Sequence, residues 1–509
     1  MPLNNISFNL GQGGLGRPLP GEDYISGLLF YTAGSLPSGF SASNRIKQFF
    51  SLADAVAAGI TNTYSDETKA TATYLVTTPG TNGDTLELKV NEPLGKVVSL
   101  GVYTKSASET TAANVATAIA AVINAGTFTH GYVATVNTAT VTISAKAGLG
   151  IFLNSGTPIS ATLSSGATLA GTLTQFTGGV AGKFAVWYYH ISEFFRLQPQ
   201  GVLYVGIYAV PSPYTFTEIS TMQQFANGKI RQIGVFKDSA AFASADITAI
   251  HNVCAANVAL HREIIALYGA DLSGTADIST IADLSTLTAN YCSAVISQDG
   301  GAYGAFLYLT TGKSVTTLGA ALGAVADSKV SNSIAWVAQF NISNGTECDV
   351  IAFANGVLFS NSSVTDNLLT SLQNKRYIFL RKFVGIAGSY FNENSTSIAA
   401  SSSYAYITDN RTMQKATRGI YAGVLPSLNS PITLNSDGTL TNEAAAYFRG
   451  LAEAPLNQMV RDGELSGFAV SVNTTQNVLS TGILVINVTL VQIATGRNIQ
   501  INIGYNVTI

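Results

Sequence analysis

The last eleven residues of the chain alternate without a fault. Ile499, Ile501, Ile503, Tyr505, Val507 and Ile509 fall on one side, and Gln500, Asn502, Gly504, Asn506 and Thr508 on the other. Period-two alternation specifies a half-buried β-strand, here about 36 Å long at ~3.3 Å per residue. Residues 498–509 carry neither a charge nor a proline, two of the devices by which proteins guard an exposed strand edge. Upstream, residues 483–493 read as a second long strand, with Thr495, Gly496, Arg497 and Asn498 as the turn between the two. The N-terminus repeats the theme, with Ile6, Phe8 and Leu10 alternating with Ser7 and Asn9. Such strands either complete their own domain's sheet or add to the sheet of a neighbouring subunit, which is β-augmentation used for assembly.

A chain of 509 residues exceeds one core, so about two to four domains are expected. Charged residues make up only 11%, with a formal net charge of −3. No basic stripe exists to neutralise phosphates, so no nucleic-acid partner is expected. The abundance of Gly, Ser, Thr and Asn beside 47% hydrophobic residues suits extensive protein–protein contact, and also suits many secreted β-proteins. Cys254, Cys292 and Cys348 are too few and too scattered for a disulfide framework, which favours folding in a reducing cytosol. The opening MPLNNISFNL lacks the basic and apolar regions of a signal peptide. Apolar runs such as residues 201–210 stop well short of the ~20 residues a membrane helix requires, so no membrane insertion is expected.

Along the chain, residues 1–20 form a β arm followed by a Gly/Pro linker. Residues 21–65 contain a strand around 25–31 and a helical stretch that includes Ile46, Phe49, Phe50 and Leu52. Residues 66–182 change character: Thr, Ala, Ser and Gly dominate. Strands are expected at 74–78, 86–90, 97–103, 132–136 and 141–143. Ser106 and Glu109 make a capping-box pattern before a helix with Val115, Ile119, Val122 and Ile123 on one face. A Ser/Thr/Gly-rich tail closes this segment, which reads as an inserted, surface-exposed α+β module. Residues 183–390 alternate apolar strands (202–210, 230–236, 292–296, 350–353, 377–380) with helices (216–227, 245–267, 315–326, 366–373). That rhythm argues for a mixed, partly parallel sheet with helices on both faces. Residues 391–509 add helices at 411–425 and 442–459 before the long terminal strands. The expected class is therefore a multidomain α/β and α+β protein.

Candidate chemistry is sparse. Gly11, Gly13 and Gly16 have dinucleotide-loop spacing, but Pro18 and Pro20 stand where the phosphate-binding helix would have to begin. A flexible linker is the better account. His251, Cys254 and His261 share one expected helix without the further ligands a zinc site needs. There is no GxSxG, P-loop, HExxH or calcium-loop motif, so an enzyme is disfavoured and no cofactor or metal is expected. The aromatic run Phe184, Trp187, Tyr188, Tyr189, Phe194 and Phe195 has the spacing of a core-facing helix.

Three segments in this order, YYHISEFFRLQPQGVLYVGIY, TDNRTMQKATRGIYAGVLPSLNSPITL, and RDGELSGFAVSV with TGILVINVTLVQIATGRNIQINIGYNVTI, resemble the contractile tail sheath proteins of bacteriophages and contractile injection systems. The likeness covers residues 1–65 and 183–509, and residues 66–182 depart from the simpler sheaths. The resemblance implies a non-enzymatic virion or injection-particle subunit, assembled in the bacterial host cytoplasm. It would polymerise helically with itself around an inner tail tube protein and meet baseplate and tail terminator proteins. Ile6, Phe8, Leu10, Ile499, Ile501, Ile503, Tyr505, Val507 and Ile509 would form exchanged intersubunit strands. Gly11, Gly13, Gly14 and Gly16 would form a hinge. Glu443, Arg449 and Glu453 would face the tube from a tube-proximal C-terminal domain. Set against this are a secreted multi-module β-rich adhesin and, less favoured, an α/β enzyme.

Overall fold

The computed structural model describes residues 22–237 and 241–505. Its largest sheet runs in the order Cys292–Val295, Ile265–Gly269, Gln232–Phe236, Ile25–Thr32, Val202–Ala209, Ile46–Phe49. The first five strands are mutually parallel and the last is antiparallel. All eight residues of the central strand Ile25–Thr32 are buried. Its side chains divide by parity, as the pleat requires. Leu28 and Phe30 enter one core with Trp187, Phe194 and Leu318. Leu29 and Tyr31 enter the other with Ile219, Met222 and Ile250. The helices Phe184–Leu197 and Leu318–Asp327 thus cover one face. Glu218–Phe225 and Ser244–Val258 cover the other. This is the mixed α/β core with helices on both faces.

Residues 71–177 carry a separate core. One sheet orders Val133–Asn137, Thr140–Ser144, Thr71–Thr78 and Ala170–Thr177, and a second orders Val97–Thr104, Thr85–Asn91 and Ile159–Leu163. The helix Ala112–Ala125 adds Val115, Ile119 and Ile123 to the cluster that holds Val90, Tyr103, Tyr132 and Ile143.

Several local expectations are corrected. Ile46–Phe49 is an edge strand, and the helix after it is only Leu52–Ala57, because Ser51 caps its start and Asp54 closes the capping box. The expected helix over 245–267 stops at Val258. His261 takes a left-handed φ of 55°, and Ile265–Gly269 becomes a strand buried throughout. Within residues 71–177 the helix cap is Thr111, whose hydroxyl accepts the Asn114 N–H at 3.2 Å. Glu109 instead accepts the Ser106 N–H at 2.7 Å and the Tyr103 hydroxyl at 2.6 Å. The Ser/Thr/Gly-rich tail contains two ordered strands, Ile159–Leu163 and Ala170–Thr177, consistent with the strand preference of β-branched threonine.

Two features set the tolerance of this core. The helices Phe184–Leu197 and Leu318–Asp327 approach closely at two glycines. A Cβ added at Gly319 would lie 2.2 Å from the His190 carbonyl oxygen, and one at Gly323 would lie 2.8 Å from that of Phe194. Since backbone blocks the space, Gly319→Ala is expected to cost about 1–3 kcal/mol or more, read as a lowered urea midpoint at unchanged slope. His190 itself is fully buried between Phe30 and Phe236, and among the described residues neither ring nitrogen has a hydrogen-bond partner. Burial lowers its pKa from 6.5 to about 3. The native state therefore holds this ring neutral while the unfolded chain takes up a proton below about pH 6.5. Stability is unaffected above that pH and falls by about 1.4 kcal/mol per unit as pH drops towards 3. His190→Leu should remove that slope, so its stability relative to the parent rises steadily from pH 6 to pH 4 in denaturant titrations.

Candidate assembly surface

The C-terminal region is built on the helix Ile407–Val424, which is tied to the body by charge. Arg411 donates to the Ser328 hydroxyl at 2.7 Å and Gln414 to the Ile264 carbonyl at 3.1 Å. Lys415 reaches both Asp23 and Glu464 at 2.6 Å, and Arg418 reaches Asp23 at 2.8 Å. Burial alone would raise the Asp23 pKa, but the charges of Lys415, Arg418 and Arg411 overcome it and hold the carboxyl below its ordinary value.

The helix Asn442–Arg461 packs on this one. Thr441 caps it, accepting the Ala444 N–H at 3.2 Å. A small core of Ala416, Leu456, Met459 and Leu465 lies beneath a two-stranded antiparallel sheet. That sheet pairs Leu465–Ser471 with Asn487–Gln492, placing Phe468 opposite Leu490 and Val470 opposite Val488. These four side chains are only partly buried, and among the described residues neither outer edge of the sheet is paired. Beside it lies an open, largely apolar groove of about 1050 Å³ lined by Ile420, Val424, Leu428, Leu479 and Ile486.

Among the described residues, the expected turn at 495–498 does not pair the strand before it with the segment after it. The upstream strand is shorter, Asn487–Gln492, and pairs backwards with Leu465–Ser471. The chain is diverted at Arg497, whose Nε donates to Glu393 at 2.9 Å and whose guanidinium lies 3.4 Å from the Tyr406 ring centroid. Beyond it, among the described residues, no strand pairs with 498–505. Ile499, Ile501 and Ile503 are 83%, 80% and 95% exposed, and Tyr505 is fully exposed.

The other candidate residues lie as follows. Ile6, Phe8, Leu10, Gly11, Gly13, Gly14, Gly16, Val507 and Ile509 lie outside the described residues. Glu443 is exposed in the first turn of its helix, where a carboxylate is favoured. Arg449 and Glu453 pair across one turn at 3.5 Å, on the stripe beside the buried Phe448, Ala452 and Leu456. His251, Cys254 and His261 occupy three unrelated environments. His251 stacks on Tyr291, Cys254 is buried with its thiol pushed up to about 12, and His261 stacks on Tyr421. Among the described residues no group of three His, Cys, Asp or Glu could hold a metal ion, and no helix is long and apolar enough to cross a membrane. Sequence reasoning missed Arg497, Glu393 and Tyr406. The available signal was that Arg497 is the sole charged side chain in residues 465–509.

Because residues 498–505 are exposed and make no strand pair among the described residues, a chain ending at Arg497 should fold unchanged. Its Tm is expected within about 2 °C of the full chain, as for surface changes that remove no buried contact, by differential scanning calorimetry.

Two family models match the chain. One, described as DUF2586, N-terminal domain, covers residues 76–395. The other, DUF2586, C-terminal domain, covers residues 403–509. No curated protein matches. Among solved structures, the helical sheath of the anti-feeding prophage in its contracted state is similar at 14% identity and a TM-score of 0.45, over 62% of this chain and 81% of that one. A chain of the same prophage's baseplate in the contracted state is similar at 16% identity and a TM-score of 0.46, over 64% and 86%. The sheath tail protein of Listeria innocua is similar at 11% identity and a TM-score of 0.38, over 95% and 96%.

Proposed function

The chain belongs to the DUF2586 family, and we propose that it is the structural subunit of a contractile tail sheath. The observation that carries this reading is the terminal segment 498–505. It is uncharged, strictly alternating, anchored at one end and without a partner strand among the described residues. A strand of this kind is satisfied by the open edge of another subunit's sheet, where main-chain hydrogen bonds give affinity and alternate side chains give register. The half-covered sheet of Leu465–Ser471 and Asn487–Gln492 offers such an edge.

In this reading the subunits stack helically around an inner tail tube, between baseplate and tail terminator proteins, after folding in the bacterial host cytoplasm. Ile6, Phe8 and Leu10 supply a second exchanged strand, and the glycines at 11, 13, 14 and 16 its hinge. Glu443, Arg449 and Glu453 face the tube, and the module of residues 66–182 lies on the outside. No catalytic turnover is involved. Contraction draws on the free-energy difference between two packings of the same subunits, the extended one metastable. The charge-tied body moves as a unit and the exchanged strands keep neighbours connected.

The test is negative-stain electron microscopy of the full chain co-expressed with a tube protein, with and without residues 498–509. Cylinders are expected from the full chain and none from the truncated one, which still folds. Compact monomers from both, in the presence of tube, would sink the proposal.

A further inference from the structure

We propose that Arg497 is a positioning residue that clamps the root of the C-terminal strand to the body and so sets where that strand leaves for a neighbouring subunit. Among the described residues, every hydrogen bond and ion pair that joins residues 494–505 to the rest of the chain is made by this side chain. Its Nε donates to Glu393 Oε2 at 2.9 Å, a charge-assisted bond to a carboxylate whose side chain is only 9% exposed. Its guanidinium carbon lies 3.4 Å from the Tyr406 ring centroid, a stacked cation–π contact. The seat is itself fixed. Arg376 lies over the same ring at 4.8 Å, donates from Nε to the Thr396 carbonyl at 3.2 Å and also bonds the Ala405 carbonyl. The Tyr406 N–H is accepted by Asp409 at 3.1 Å.

The side chain of Arg497 is 29% exposed, whereas residues 498–505 stand open around it. A strand tethered at a fixed root loses less freedom on capture than one swinging from a loose tail, which raises affinity without any new contact. Arginine suits this role because its planar group can stack and donate at once, which a lysine ammonium cannot reproduce.

Trypsin reads the clamp directly, since it must draw the arginine into its own pocket to cut after it. With the full-length protein, release of the peptide 498–509 then tracks the unclamped population while the body stays folded. Glu393→Gln is expected to release it about threefold faster and Tyr406→Ala about tenfold faster, at a temperature where calorimetry shows each body still folded. Equal release rates in parent and both variants would overturn the clamp. The second arm rests on the sheath reading: Arg497→Ala should give fewer and shorter cylinders than the parent, with Arg497→Lys recovering only part. If the parent assembles and Arg497→Ala matches it, the positioning role is wrong. If the parent itself forms no cylinders when co-expressed with a tube protein, the sheath reading fails, and the protease result alone decides the clamp.

Discussion

Everything in this molecule hangs from the complete burial of the strand Ile25–Thr32. It lies at the middle of the main sheet, paired on both edges and covered on both faces, so its register is fixed by two cores at once. The residues just before it are fixed with it. Glu22 pairs with Arg231, and Asp23 sits between Lys415 and Arg418. Lys415 in turn reaches Glu464, at the start of the C-terminal sheet. One short run of chain therefore couples the central strand to the helix Ile407–Val424 and to the strand after it. Removing one member of a buried network of this kind costs about 3–5 kcal/mol, because the remaining charge is stranded.

The C-terminal region is built with less apolar burial. The cluster beneath its sheet has four buried side chains and a ring of half-buried ones, against the two extensive clusters of the body. Charge rather than apolar area ties it to the body. Its sheet has two strands, a size that is marginal alone, and an apolar groove opens beside it. Among the described residues neither outer edge of this sheet is paired, which leaves it a thin element.

Much of this was legible in the sequence because the strongest periodic signals are local. The apolar run at 25–31, the aromatic helix and the helix from Asn442 are expressed within their own windows. The failures share a cause in tertiary context. Ile265–Gly269 follows a helix with no proline between them, and only the slot between two parallel strands, together with the left-handed turn at His261, makes it a strand. Ile46–Phe49 is a strand because residues 203–206 offer it an edge. The turn at residues 495–498 was expected because two apolar runs flank a Thr-Gly pair. What diverts it is a contact between residue 497 and residues 393 and 406, about a hundred positions upstream. No window of sequence carries that.

The same contact gives the charge pattern of the tail its meaning. A lone arginine in a long uncharged stretch would ordinarily be read as a gatekeeper, a charge placed to keep a sticky strand from pairing. Here the guanidinium is turned inwards onto Tyr406 and Glu393 and does not protect the strand beyond it. Each isoleucine left outside would gain about 1.5–3 kcal/mol on burial, and each main-chain group along 498–505 still needs a partner wherever water is excluded. The tail's one charge thus turns inwards and leaves the isoleucines at 499, 501 and 503 exposed and unshielded.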